Sequence, residues 1–89
     1  MEIRLTRTAA RNLENIYLYT AHEFGVVQAE LYRQRLDEAF QRLAKFPEMG
    51  ARSRSITRRF EVESHLVFYR VEAGTLVISR IIHGSQRRR

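Results

Sequence analysis

The sequence predicts an α+β domain of order β-α-α-β-β-β, a helical hairpin packed on a largely antiparallel sheet. Three observations carry that expectation. Apolar residues recur at spacings of three and four over two consecutive segments that part at Gly25. Pro47 closes the second segment, because its ring cannot continue a helix. From Ile56 onward the period falls to two, the spacing of a strand with one face buried.

Each element has its own warrant. Glu2-Ile3-Arg4-Leu5-Thr6 alternates polar and apolar, as a short half-buried strand does. Thr6 or Thr8 can then cap a helix by accepting one of its unpaired amide protons. The first helical stripe runs Ala10, Leu13, Tyr17, Thr20 and Phe24, flanked by Ala9 and Ile16, and Gly25 is its stop. A longer helix is expected from Val27 to Phe46, with Ala29, Tyr32, Leu36, Ala39, Phe40, Leu43 and Phe46 on its apolar side. Residues 47–53 read as a loop. Phe60 and Val62 mark one strand, Ser64-His65 a tight connection, and Leu66 to Val71 a central strand covered on both faces. Glu72-Ala73-Gly74-Thr75 reads as a turn before a last strand, Leu76 to Ile82.

The 89 residues permit a single domain, 1–89, with a thin core. Without cysteine, neither a disulfide nor a thiolate metal site can reinforce it. The expected setting is the cytoplasm: the N-terminus shows no export signal and no apolar run spans a bilayer. The net charge of +6 is unevenly placed. Residues 1–51 balance seven basic against seven acidic side chains, whereas residues 52–89 carry nine arginines against Glu61, Glu63 and Glu72. Such an asymmetry points to an anionic partner, either nucleic acid, the ribosome or an acidic protein segment.

Arg58, Arg59, Arg70 and Arg80 are candidates for one basic docking surface; the competing reading is solvated charge that blunts an exposed strand. His83, at the end of the last strand, is either a general acid/base or a locally bonded strand-end residue. His65 is placed in a turn and carries less functional weight. His22 suits a helix C-terminus, and Arg87-Arg88-Arg89 reads as a mobile tail. Tyr17, Tyr19 and Tyr32 fit hairpin packing better than a base-stacking platform. The sequence contains no phosphate-cradling glycine loop, no Ser-His-Asp arrangement and no His/Asp metal cluster, so neither cofactor, metal nor small-molecule substrate is expected.

Four segments in order resemble the RelE/ParE toxins across nearly the whole chain. Ala10-Arg11-Asn12-Leu13-Glu14-Asn15-Ile16-Tyr17-Leu18-Tyr19 is similar to the family's first helix, with Asn12 where an acidic residue is common. Leu43-Ala44-Lys45-Phe46-Pro47-Glu48-Met49-Gly50 resembles its "L-x-x-x-P-x-x-G" punctuation. Phe60 to Val71 is similar to its paired strands with "H-x-[VI]-x-Y-R", and Ile78-Ser79-Arg80-Ile81-Ile82-His83-Gly84 to the ParE-type ending "I-x-R-I-L-H-G".

What the resemblance implies depends on the branch. RelE members are metal-free, ribosome-dependent messenger-RNA endonucleases that work with cationic and acid/base side chains. ParE members poison DNA gyrase without established chemistry of their own. Aligned on Tyr69, the arginine that contacts phosphate in the RelE branch becomes Leu66, and Lys45 is the only lysine. The ParE reading is therefore favoured: a cytoplasmic toxin of a type II toxin–antitoxin (plasmid stabilisation) system, with no catalytic residues. Its implied partners are DNA gyrase and a cognate, ParD-like antitoxin that folds on the toxin, with a hetero-oligomer as the resting form. Val27 and Leu31, off the main stripe, are candidates for antitoxin contact, with Arg58, Arg59, Arg70 and Arg80 as further partner-binding residues. The alternatives are a RelE-type ribonuclease using Arg58, Arg59, Arg80 and His83, and a degenerate, non-toxic member that only binds antitoxin.

Overall fold

Local capping and one sheet irregularity fix most of the architecture. The computed structural model describes residues 1–86, so the Arg87–Arg89 stretch lies outside the described residues. The elements are β1 (Glu2–Leu5), α1 (Arg7–Phe24), α2 (Val26–Lys45), a 3-10 turn (Pro47–Met49), β2 (Ala51–Arg52), β3 (Arg58–Val62), β4 (His65–Glu72), β5 (Thr75–His83) and a second 3-10 turn (Gly84–Gln86). The sheet has the order β1-β5-β4-β3-β2; β1 lies parallel to β5 and the other pairs are antiparallel. Both helices pack on one side of it. The expected α+β class and hairpin are thus observed, with β2 as an additional two-residue edge strand.

The Thr6 hydroxyl caps α1 by accepting from the Ala9 amide at 3.0 Å, and donates to the Ser79 carbonyl at 2.7 Å. One side chain therefore starts the helix and anchors it to β5. Gly25 ends α1 and begins α2 with φ 96°, a conformation that side-chain-bearing residues rarely adopt.

The core lies between the hairpin and the sheet: Ala9, Leu13, Leu36, Ala39, Phe40 and Leu43 meet Val62, Val67, Tyr69, Leu76, Ile78 and Ile81. Several sequence expectations need correction. In α1 the buried stripe starts at Ala9, not Ala10, and Phe24 stands 68% exposed at the hairpin tip. Phe46 is the exposed cap of α2 rather than part of its core face. The β3–β4 turn is Glu63-Ser64, with Glu63 at φ 54°, so His65 is the first residue of β4 and not a turn residue. Coverage on both faces of β4 holds for Leu66 to Tyr69 and is lost at Val71.

The irregularity is a bulge in β5 opposite the Phe68–Tyr69 step: Phe68 pairs with Arg80 and Tyr69 with Ile78, leaving Ser79 extra. Thr6 holds the Ser79 carbonyl, the Ser79 hydroxyl donates to the Phe68 carbonyl at 3.1 Å, and Asn12 Oδ1 accepts from the Ile81 amide at 2.9 Å. Asn12 serves this bond with the oxygen of its neutral amide. Strict alternation would have put Arg80 on the core face with Leu76 and Ile78; the extra residue turns it to the opposite face.

Candidate functional site

Residues paired directly across strands project to the same face, so the register sorts the arginines. Arg59 pairs with Phe68, Phe68 with Arg80, and Val77 with both Arg70 and Arg4. These four arginines share the sheet face away from the helices. Arg58 pairs with Tyr69 and sits on the helix side. The surface expected from Arg58, Arg59, Arg70 and Arg80 therefore loses Arg58 and gains Arg4.

This face is not purely cationic. Glu61 pairs with Leu66, and Glu72 and Glu2 both pair with Thr75, which places three carboxylates among the arginines. Arg4 and Arg70 both reach the Glu72 carboxylate, at 3.5 and 3.4 Å. The Arg80 guanidinium lies 4.1 Å from the centre of the Phe68 ring, a cation–π contact. The Leu66 side chain is 1% exposed and offers neither charge nor hydrogen bond.

Arg58 serves the loop after α2. Its guanidinium donates to the Gly50 carbonyl at 2.8 Å and reaches the Glu48 carbonyl at 3.5 Å. Beside it the buried Tyr69 hydroxyl donates to the Pro47 carbonyl at 2.6 Å and accepts from the Gly50 amide at 2.9 Å. Burial raises the Tyr69 pKa, which keeps the hydroxyl protonated for that bond. Arg59 donates to the Arg52 carbonyl at 3.3 Å.

His83 lies on the helix side, opposite His65 at the far end of the β4–β5 ladder from the hairpin turn. Its Nδ1 accepts from the Ser85 amide at 3.0 Å. The set Arg58, Arg59, Arg80 and His83 is thus divided between two faces and does not converge on one point. His65, given little weight in the sequence, instead joins a cluster. The Tyr32 hydroxyl lies 2.6 Å from His65 Nδ1 and donates to the Val62 carbonyl at 3.2 Å, while the His65 and His83 rings meet edge to face at 5.2 Å. Burial first, and then the nearby His83, lowers the His65 pKa; burial likewise raises that of Tyr32. No spacing in the sequence announces this cluster, because its members come from α2, β4 and β5.

A second surface is apolar. Phe24, Val26 and Val27 flank Gly25 at the hairpin tip, Val27 being 75% exposed, and Leu31 follows one turn along α2 at 44%. Val27 and Leu31 are therefore accessible, as the sequence expectation required. Among the described residues no group of three or more His, Cys, Asp or Glu could hold a metal ion. No helix is long and apolar enough to cross a membrane.

An antiparallel helical hairpin packed on one face of this five-stranded sheet is the architecture of the RelE/ParE toxins. The comparisons agree. Residues 3–88 match the family model of the ParE toxin of the type II toxin–antitoxin system parDE. The chain is 35% identical to Toxin ParE1 of Caulobacter vibrioides, over 97% of its own length and 92% of that protein's. It is 36% identical to Toxin ParE1 of Mycobacterium tuberculosis, over 89% and 85% of the two lengths. Among solved structures, the chromosomal ParDE system from P. aeruginosa superposes with a TM-score of 0.82 at 25% identity, covering 93% of this chain and 95% of that one. The M. tuberculosis RelBE2 complex shares the fold, with a TM-score of 0.65 at 24% identity, covering 92% and 88%. The chain belongs to the ParE toxin family of type II toxin–antitoxin systems.

Proposed function

We propose that this toxin acts in the cytoplasm as a poison of DNA gyrase and is held inactive by a cognate, ParD-like antitoxin. The observation that carries the gyrase reading is Leu66. A metal-free ribonuclease must neutralise the strained phosphate with cations placed beside it, and the position that supplies one in the RelE branch here holds a buried leucine. Binding, not bond cleavage, is then the toxin's task, and no catalytic residue is assigned.

The antitoxin reading is supported by the relatives solved as toxin–antitoxin systems and by the exposed apolar tip around Val27 and Leu31. A disordered antitoxin segment folding as an amphipathic helix would bury those side chains and gain the apolar area that offsets its ordering.

The test is a supercoiling and cleavage assay with purified gyrase and antitoxin-free toxin. Accumulation of linear, protein-linked DNA supports the reading. Unchanged gyrase activity, together with cleavage of ribosome-bound transcripts, would replace it with the ribonuclease alternative; inactivity in both assays and harmless overexpression would mark a non-toxic, antitoxin-binding member.

A further inference from the structure

The β2–β3 loop, taken with the strand residues that flank it, concentrates basic charge that has no ion-pair partner among the described residues. From Gly50 to Phe60 the sequence holds Arg52, Arg54, Arg58 and Arg59 and no acidic residue. The register sets Arg52 directly opposite Arg58, and like charges opposed across strands destabilise a pair unless an anion lies between them. Among the described residues, none of the ion pairs includes any of these four arginines, whereas Arg4, Arg33, Arg35 and Arg70 each have a carboxylate. Arg58 and Arg59 spend their bonds on backbone carbonyls, which orients them and leaves their charge in place.

Backbone hydrogen bonds close the loop into a turn. The Ser53 amide donates to the Thr57 carbonyl at 2.9 Å and the Thr57 amide to the Arg54 carbonyl at 2.7 Å, closing a tight turn with Ser55 at φ 51°. Cations alternate with hydroxyls along Arg52-Ser53-Arg54-Ser55, and all four residues are exposed. Arginine with serine and threonine hydroxyls and loop amides is the donor set that contacts nucleic-acid phosphates. Ile56 is exposed within the loop and Phe46 and Met49 just before it, so the donor set, not a lack of apolar surface, selects the phosphate backbone over an acidic peptide.

We infer that the β2–β3 loop, through Arg52 and Arg54 with Ser53 and Ser55, is a binding surface for the phosphate backbone of duplex DNA. In a complex with gyrase, the toxin would then touch the DNA that the enzyme holds as well as the enzyme; that extension rests on the gyrase reading, and the DNA contact itself does not.

The probe is a fluorescein-labelled 20-base-pair duplex, read by anisotropy with full-length toxin from 50 to 200 mM salt. Arg52 and Arg54 have no side-chain bonds among the described residues, so the double variant Arg52→Ala/Arg54→Ala should fold, as circular dichroism will verify. It should weaken binding at least tenfold at the lowest salt and reduce the log–log salt slope by about 2, one per lost phosphate contact. Arg11→Ala/Arg42→Ala removes the same net charge from the helices and should leave that slope near the wild-type value. An equal loss in both variants, an unchanged affinity in the loop variant, or tighter binding of single-stranded RNA of the same length would overturn the inference, whatever gyrase does. Loop-dependent duplex binding by a toxin that fails to poison gyrase would reject the gyrase reading and uphold the DNA surface. If both hold, the loop variant should also accumulate less cleaved DNA at equal toxin concentration.

Discussion

The Tyr32 hydroxyl stands 2.6 Å from Nδ1 of His65 and so ties the middle of α2 to the first residue of β4. Tyr32 has one proton and two neighbours, the Val62 carbonyl and His65. If it donates to the carbonyl, the Nδ1-protonated tautomer of His65 donates back to the phenol and every group is satisfied. A second proton on the ring would then enter at Nε2, in a half-buried site facing His83, with the Arg35–Glu63 ion pair near Tyr32.

Stability should therefore fall on mild acidification. The His65 pKa is lowered in the folded protein, so the unfolded chain binds more protons just below the ordinary value of 6.5. Its contribution is intact above that value and is lost as pH falls towards the lowered folded pKa. Urea midpoints measured from pH 7.5 to 5 should decline through that window, and His65→Gln should flatten the decline. A variant profile parallel to the wild type would assign the titration to other groups.

Tyr69→Phe should cost about 1–3 kcal/mol, because it strands the Gly50 amide and the Pro47 carbonyl around a buried ring. Gly50→Ala should cost about as much by the opposite route. A Cβ there would overlap the Tyr69 hydroxyl and come within 2.8 Å of the Arg59 carbonyl. Equilibrium urea unfolding checks both, and a neutral Gly50→Ala would mean that the loop moves freely away from Tyr69.

Arg80→Ala should lower stability by about 0.5–1 kcal/mol through loss of the contact with Phe68. Phe68→Leu should lose the same contact. A double-mutant cycle on urea unfolding gives the coupling directly, and zero coupling would reduce the stacked geometry to a coincidence of packing.

Val27→Glu and Leu31→Glu should fold normally, since both side chains face solvent. Each should weaken antitoxin binding at least tenfold, about 1.4 kcal/mol, in calorimetric titration. Unchanged affinity in the double variant would move the antitoxin contact away from the hairpin tip.

The element order apart from the two-residue β2, the helix breaks at Gly25 and Pro47, a threonine cap at Thr6 or Thr8 and the concentration of positive charge after residue 51 were all legible in the sequence. They depend on local periodicity, on capping chemistry and on counting, none of which requires knowing what packs against what. The accessibility of Val27 and Leu31 was legible for the same reason, as positions off the apolar stripe. The one-residue error in α1, Ala10 for Ala9, arose because two adjacent alanines fit the stripe almost equally well and only packing against the sheet chooses between them. The placement of the charges was decided by the tertiary structure. Arg58 and Arg59 are neighbours in sequence yet serve opposite faces, and Arg80 reaches the face of Arg59 only because Ser79 bulges. The pairing of His65 with Tyr32 and His83 belongs to the same category. Strand register has a period of two, so a single inserted residue reverses the side on which every later residue lies. That insertion is held by Thr6 and Asn12, more than 60 residues earlier in the chain.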